Sequence, residues 1–147
     1  MKKTLALALV FLFVVACEKF SRPDVGPEIS GHNKSESHNK GLNCMTCHYS
    51  EGQAVEGIYS LAGSAFGNTQ NADVELYASS SASEPFHIIE IDQFGNFYTT
   101  EPIEFGDGLF VAVRAENGDI SFMQDPIMNG QCNLCHGTNV EERIVID

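Results

Sequence analysis

The sequence predicts a mainly β protein. It is read as a small antiparallel β-sandwich over about residues 54–124, flanked by two copies of the pentapeptide Cys-x-x-Cys-His. Three observations predict it. Apolar residues fall in six short runs, several with period-two alternation, rather than recurring every third or fourth position. Turn-forming residues separate those runs. Beyond the first sixteen residues no sustained helical periodicity occurs.

The runs are taken in order. Val55 to Leu61 is the first, and Asp73 to Ala78 the second, with clean alternation in Val74-Glu75-Leu76. Phe86 to Asp92 is rich in isoleucine, and Asn96 to Thr100 is rich in aromatic and β-branched residues. Leu109 to Ala115 sets Leu109, Val111 and Val113 on one face, and Asp119 to Met123 is the sixth run. Asn117-Gly118 between the last two predicts a type I′ hairpin. Asp92-Gln93-Phe94-Gly95-Asn96 supplies a turn between the third and fourth. A core of about seventy residues is marginal by itself, so bound groups packed against it would matter.

The chemistry lies in the two pentapeptides. Cys44-Met45-Thr46-Cys47-His48 and Cys132-Asn133-Leu134-Cys135-His136 hold four of the five cysteines and two of the five histidines. This spacing is the attachment signature of c-type haem. Two thiols form thioethers to one porphyrin, and the adjoining histidine is then held beneath the iron. Cys44, Cys47, Cys132 and Cys135 are therefore the expected anchors of two haem c groups, with His48 and His136 as proximal iron ligands. A Cys₄ zinc site is the main alternative, but the pairs are over eighty residues apart, against roughly 15–20 in a compact zinc ribbon. A dithiol oxidoreductase lacks the βαβ context it needs. The candidate distal ligands are His38 and Met123. His38 sits in a polar loop able to fold over a haem, that of the second motif included, and Met123 ends the last run. Met128, close to Cys132, needs a tight loop. His87 reads as a packed strand histidine and His32 as a solvated one, while Met45 lies on the proximal side.

The N-terminus reads as an export signal. Met1-Lys2-Lys3 is basic, and residues 4–16 are apolar but shorter than the roughly 20 residues that span a bilayer. The run ends in Val14-Val15-Ala16-Cys17, which resembles a bacterial lipobox. Cleavage before Cys17 and its lipidation would anchor the chain to a membrane without spanning it, and would account for the odd fifth cysteine. Residues 17–40 follow as a lipid-anchored flexible tether reaching roughly 25 Å, and residues 41–147 form the dihaem domain. Export fits thioether-bound haem, which is assembled outside the cytoplasm. The expected location is the periplasm or cell surface of a bacterium. With 8 Lys plus Arg against 20 Asp plus Glu, the net charge is −12. That field repels nucleic acid and favours basic redox partners or other cytochromes.

Residues 71–76, 91–98 and 110–123 together resemble carboxypeptidase-regulatory, transthyretin-like β-sandwiches. A module of that kind bracketed by two Cys-x-x-Cys-His motifs is similar to the dihaem and multihaem c-type cytochrome lipoproteins of respiring bacteria. The similarity covers roughly residues 41–137. It implies haem binding and electron transfer, not a defined catalytic reaction.

The functional expectation is an electron-transfer protein that is not an enzyme. Two other classes stay open. One is a haem-based sensor or binding module. The other is a small dihaem peroxidase-type enzyme, which would need an open iron position and a distal base.

Overall fold

A computed structural model describes residues 27–54, 57–138 and 142–147. The export segment 1–16, Cys17 and the first part of the tether lie outside the described residues. The described chain is mainly β. Its strands are β1 (Leu61–Gly67), β2 (Asp73–Tyr77), β3 (His87–Glu90), β4 (Asn96–Thr99), β5 (Phe110–Arg114), β6 (Ile120–Phe122), β7 (Gly130–Gln131) and β8 (Ile144–Ile146). One four-residue helix, α1 (Asn133–His136), lies between the last two strands.

One sheet has the order β3-β2-β5-β6 and is antiparallel throughout. Alternation decides its faces. Val74 pairs with Ile89 and Val113, while the next residue, Glu75, pairs with Ile88 and Ala112 on the opposite face. The other sheet is built around β1, with β4 antiparallel on one side. On the other side β7 pairs parallel with Leu61–Ala62, and β8 pairs parallel with Ala65–Gly67. The two short strands are thus laid end to end along one edge of β1, and the second Cys-x-x-Cys-His motif fills the gap between them. Leu61, Ala65, Val74, Leu76, Ile89, Ile91, Phe97 and Ile146 form the core between the sheets. Each large side chain among them contributes about 1.5–3 kcal/mol by leaving water.

Five of the six expected runs coincide with β2–β6 to within one or two residues. The first does not: its strand starts at Leu61 and runs on through Ala62-Gly63-Ser64-Ala65. That segment carries no alternation because Leu61 to Ala65 are all buried, on both faces. Small residues are required there. A Cβ on Gly63 would lie 2.4 Å from the Phe97 ring and 2.7 Å from Cys132 Cβ. The short strands β7 and β8 were not expected, and they make the β1 sheet mixed rather than purely antiparallel. The Asn117-Gly118 turn also differs from a type I′ hairpin. Gly118 alone has positive φ, with Gly118 N donating to Ala115 O and Ala115 N to Asp119 O. This is a type I turn closed by a left-handed glycine bulge. Asp92–Asn96 repeats the pattern with Gly95 at φ +80.

Residues 28–32, expected within the tether, run against the sandwich instead. Ile29 bridges Thr99, and Ser30 N donates to Tyr98 O at 2.9 Å. His32, expected to be solvated, places Nε2 3.0 Å from Asp73 Oδ1 and 3.1 Å from Ala72 O. The exposed edge of β4 offers these residues backbone partners, which a polar composition does not reveal.

Candidate functional site

Both pentapeptides fold into the same local shape. In the first, Asn43 caps a 3-10 turn over Cys44–Thr46 by accepting from Met45 N. His48 N then donates to Cys44 O at 3.0 Å. In the second, Cys132 N continues the β7 ladder to Ala62 O, and His136 N donates to Cys132 O at 2.9 Å. An i→i+4 bond of this kind brings the first cysteine and the histidine of each motif to one side of the turn. The imidazoles are held alike as well. His48 Nδ1 donates to Gly57 O at 2.9 Å, and His136 Nδ1 donates to Glu142 O at 2.6 Å. A carbonyl only accepts, so each ring carries its proton on Nδ1, and Nε2 is the nitrogen suited to a metal.

The two pentapeptides are separated by 83 residues, 49–131, yet they meet across β1 through Asn133. Asn133 Oδ1 accepts from Ser64 N at 2.9 Å, the next rung of β1 after β7 has ended. Its Nδ2 donates to Leu42 O at 2.7 Å and to Ser64 Oγ at 3.0 Å. Ser64 Oγ in turn donates to Asn96 Oδ1 and accepts from Gly41 N. Two further contacts tie the loops together: Asn43 Nδ2 donates to Gln131 Oε1 at 3.0 Å, and Thr138 N to Gly41 O at 2.9 Å.

Each motif opens onto its own cavity. The first, of about 610 Å³, is lined by Cys44, Cys47, His48, His38, Tyr59 and Tyr98. The second, of about 640 Å³, is lined by Cys132, Cys135, His136, Met123, Met128 and Phe97. Alternation along β4 separates them. Asn96 and Tyr98 face the first and Phe97 the second, so the cavities open on opposite faces of the β1 sheet. The motif loops touch, but the sheet stands between the cavities.

The distal candidates divide between the cavities. His38 belongs with the first motif, not the second: its ring centroid lies 5.8 Å from that of His48, with the planes inclined at 38°. Met123 and Met128 both border the second cavity. Met123 is placed by Met123 N donating to Val111 O, and Met128 follows the Leu109–Ile127 bridge. His87 borders neither cavity and pairs with Glu101 at 3.5 Å. The His48 ring also stacks on Tyr59 (4.2 Å, 12°), which stacks on Tyr98 (4.8 Å, 26°). Burial pushes the Tyr59 phenol well above its ordinary range.

All four motif cysteines are free thiols. Burial pushes Cys44 up and Cys132 up to about 12, so both stay protonated at neutral pH. A reactive dithiol depends on the opposite, a stabilised thiolate. The carbonyls of Gly57 and Glu142, the Tyr59 stack and the Asn133 bridge have no sequence signal. Every residue carries a carbonyl, and Asn133 sits at a variable position of its motif. A comparison of the chain with protein-family models, curated proteins and solved structures finds no match.

Proposed function

We propose that this chain is an electron-transfer dihaem c-type cytochrome, exported and lipid-anchored at Cys17. The observation that carries the proposal is the paired construction of the two motifs. Each sets two free thiols and an imidazole, its Nδ1 held by a backbone carbonyl, against a cavity of about 610 or 640 Å³. Cavities of that size suit a cofactor-sized ligand. The donor set fits haem c: Cys44 and Cys47, then Cys132 and Cys135, as thioether anchors, with Nε2 of His48 and His136 as proximal ligands. Haem when bound supplies a one-electron couple at iron.

The chain's own residues do the rest. Gly57 O and Glu142 O orient the two imidazoles and raise their basicity. His38 completes the first site. Its 5.8 Å centroid separation from His48 is close to the roughly 6 Å between two imidazoles sharing one metal, given bonds of about 2 Å. Met123 or Met128 serves the second site. Methionine ligation raises a haem potential, so the two sites would differ and electron flow between them would have a direction. Asn133 and the Asn43–Gln131 contact keep the two attachment loops adjacent. The surrounding β-sandwich is a rigid support of the kind found in carboxypeptidase-regulatory modules. The acidic surface suits basic or cytochrome partners.

Zinc draws less support. The two cysteine pairs border different cavities, and among the described residues no three His, Cys, Asp or Glu side chains converge on one point.

The deciding experiment is the mass of the mature protein made with haem-maturation machinery. Two added haems and an acylated N-terminus are expected. Colourless protein, or pigment fully removed by acid–acetone, would overturn the proposal. Peroxide, nitrite and carbon monoxide then separate carrier from enzyme and sensor. A carrier is inert to all three, and His38→Ala opens the first iron to carbon monoxide.

A further inference from the structure

Resting on the dihaem reading, we propose that the buried side chains of Ser64 and Asn96, oriented by Asn133, are positioning residues that hold His38 as the distal ligand of the first site. Asn133 belongs to the second motif, so the chain of contacts runs from one site to the far side of the other. His38 is exposed, and its ring nevertheless stands 5.8 Å from that of His48. Packing does little to hold an exposed side chain, so the place of the ring depends on the loop that carries it.

That loop is fastened to the β1 sheet on both sides of His38. Ser64 and Asn96 are cross-strand partners in β1 and β4, only 0 % and 2 % exposed, and Asn96 borders the first cavity. On the near side, Asn96 Nδ2 donates to Ser37 Oγ at 2.8 Å, with His38 O 3.5 Å away. On the far side, Gly41 N donates to Ser64 Oγ at 2.8 Å. Asn39 at φ +53 and Gly41 at φ +83 turn the chain back to Ser64, and Leu42 N closes the turn by donating to Asn39 O at 2.9 Å.

Saturation fixes the direction of each bond. Ser64 Oγ accepts from Gly41 N at 2.8 Å and from Asn133 Nδ2 at 3.0 Å, which uses both of its lone pairs. Its one proton is left for Asn96 Oδ1 at 2.6 Å. Asn96 must then turn its Nδ2, the donor end, toward the loop of His38. Three buried polar side chains in a row are costly unless each finds partners. The partner at the end of this row is the segment that presents His38 to the first cavity.

Cyanide reads the distal position, because it binds ferric haem by displacing the ligand there. Its apparent affinity therefore follows the fraction of molecules in which His38 has let go. The test is a cyanide titration of the oxidised mature holoprotein after its mass shows two haems. His38→Ala identifies the first site as the phase it tightens. Ser37→Ala removes one hydrogen bond at a half-buried loop position and should tighten cyanide at the first site about two- to tenfold. Ser37→Thr keeps the hydroxyl and should restore the parent value. Ser64→Ala, which releases both sides of the loop, should tighten it further, and Asn133→Ala should act in the same sense from the second motif. In a His38→Ala background none of these should change the affinity, and Glu75→Gln, a lesion on the other sheet, should leave it alone. Should Ser64→Ala or Asn133→Ala fail to give holoprotein, the Ser37 pair decides. Ser37→Ala at the parent affinity, or with the same shift when His38 is already absent, overturns the proposal while leaving the dihaem reading intact. Asn133→Ala at the parent affinity overturns its reach into the second motif. A protein without two haems overturns the dihaem reading first.

Discussion

Asn133→Ala tests the link between the two attachment loops. Asn133 is 5 % exposed and makes three hydrogen bonds, of 2.9, 2.7 and 3.0 Å. Its Oδ1 stands in for the missing rung between β7, which ends opposite Ala62, and β8, which begins opposite Ala65. Alanine leaves the buried Ser64 N–H without an acceptor and Leu42 O without its side-chain donor. An orphaned buried group costs about 1–3 kcal/mol, and each further bond about 0.5–1.5 kcal/mol net. The expected loss is about 2–4 kcal/mol, which lowers the melting temperature of a domain this size by roughly 10 °C or more. Urea unfolding of the purified holoprotein, followed by circular dichroism, measures it. Asn133→Asp keeps the acceptor but loses both donated bonds and buries a charge, so it should be no less damaging. A loss below about 1 kcal/mol in Asn133→Ala would refute the idea that this side chain bridges the motifs.

Other outcomes follow from the same geometry. Tyr59→Phe should preserve the stack on His48, whereas Tyr59→Ala should remove about 1 kcal/mol of stacking and change the paramagnetic resonance of the ferric first haem; identical spectra for both would argue against a positioning role. Gly63→Ala forces a methyl to within 2.4 Å of the Phe97 ring and 2.7 Å of Cys132 Cβ. It should cost about 1–3 kcal/mol by overpacking, and an unchanged melting temperature would show that β1 can shift. Burial pushes the Glu75 carboxyl up, but the hydrogen bonds from Arg114 and Tyr77 outweigh it and hold the group below its usual 4.5. The folded state then binds this proton less readily than the unfolded chain does. The stabilisation is complete above the unfolded value and is lost as pH falls through the folded one. Glu75→Gln should therefore be less stable than the parent at pH 7, with the gap closing in acid; a gap that widens in acid would reverse the sign of the argument.

β2, β3 and β5 were legible from their runs of β-branched and apolar residues, with alternation in Val74-Glu75-Leu76 and at Leu109, Val111 and Val113; β4, buried throughout, was legible from its aromatic and β-branched composition, and β6, exposed throughout, from the Asn117-Gly118 turn before it. The two Cys-x-x-Cys-His motifs were legible because their thiols and imidazole fall at a fixed spacing within five consecutive residues. β1 was misplaced because burial on both faces erases alternation, and β7 and β8 are too short to carry a pattern. Residues 28–32 read as tether because their partners are the backbone and carboxylates of strands some forty to seventy residues away.

By itself the sequence determined the two Cys-x-x-Cys-His motifs and the β character of what lies between them. Only the tertiary structure decided which candidate distal residue lies near which motif, bringing His38 beside His48 and both methionines to the cavity that His136 lines. It also decided that two loops distant in sequence share one asparagine. The physical reason is range. Motif spacing and strand alternation act over a few consecutive residues, whereas a cavity wall is assembled from whichever segments β1 and β4 bring together.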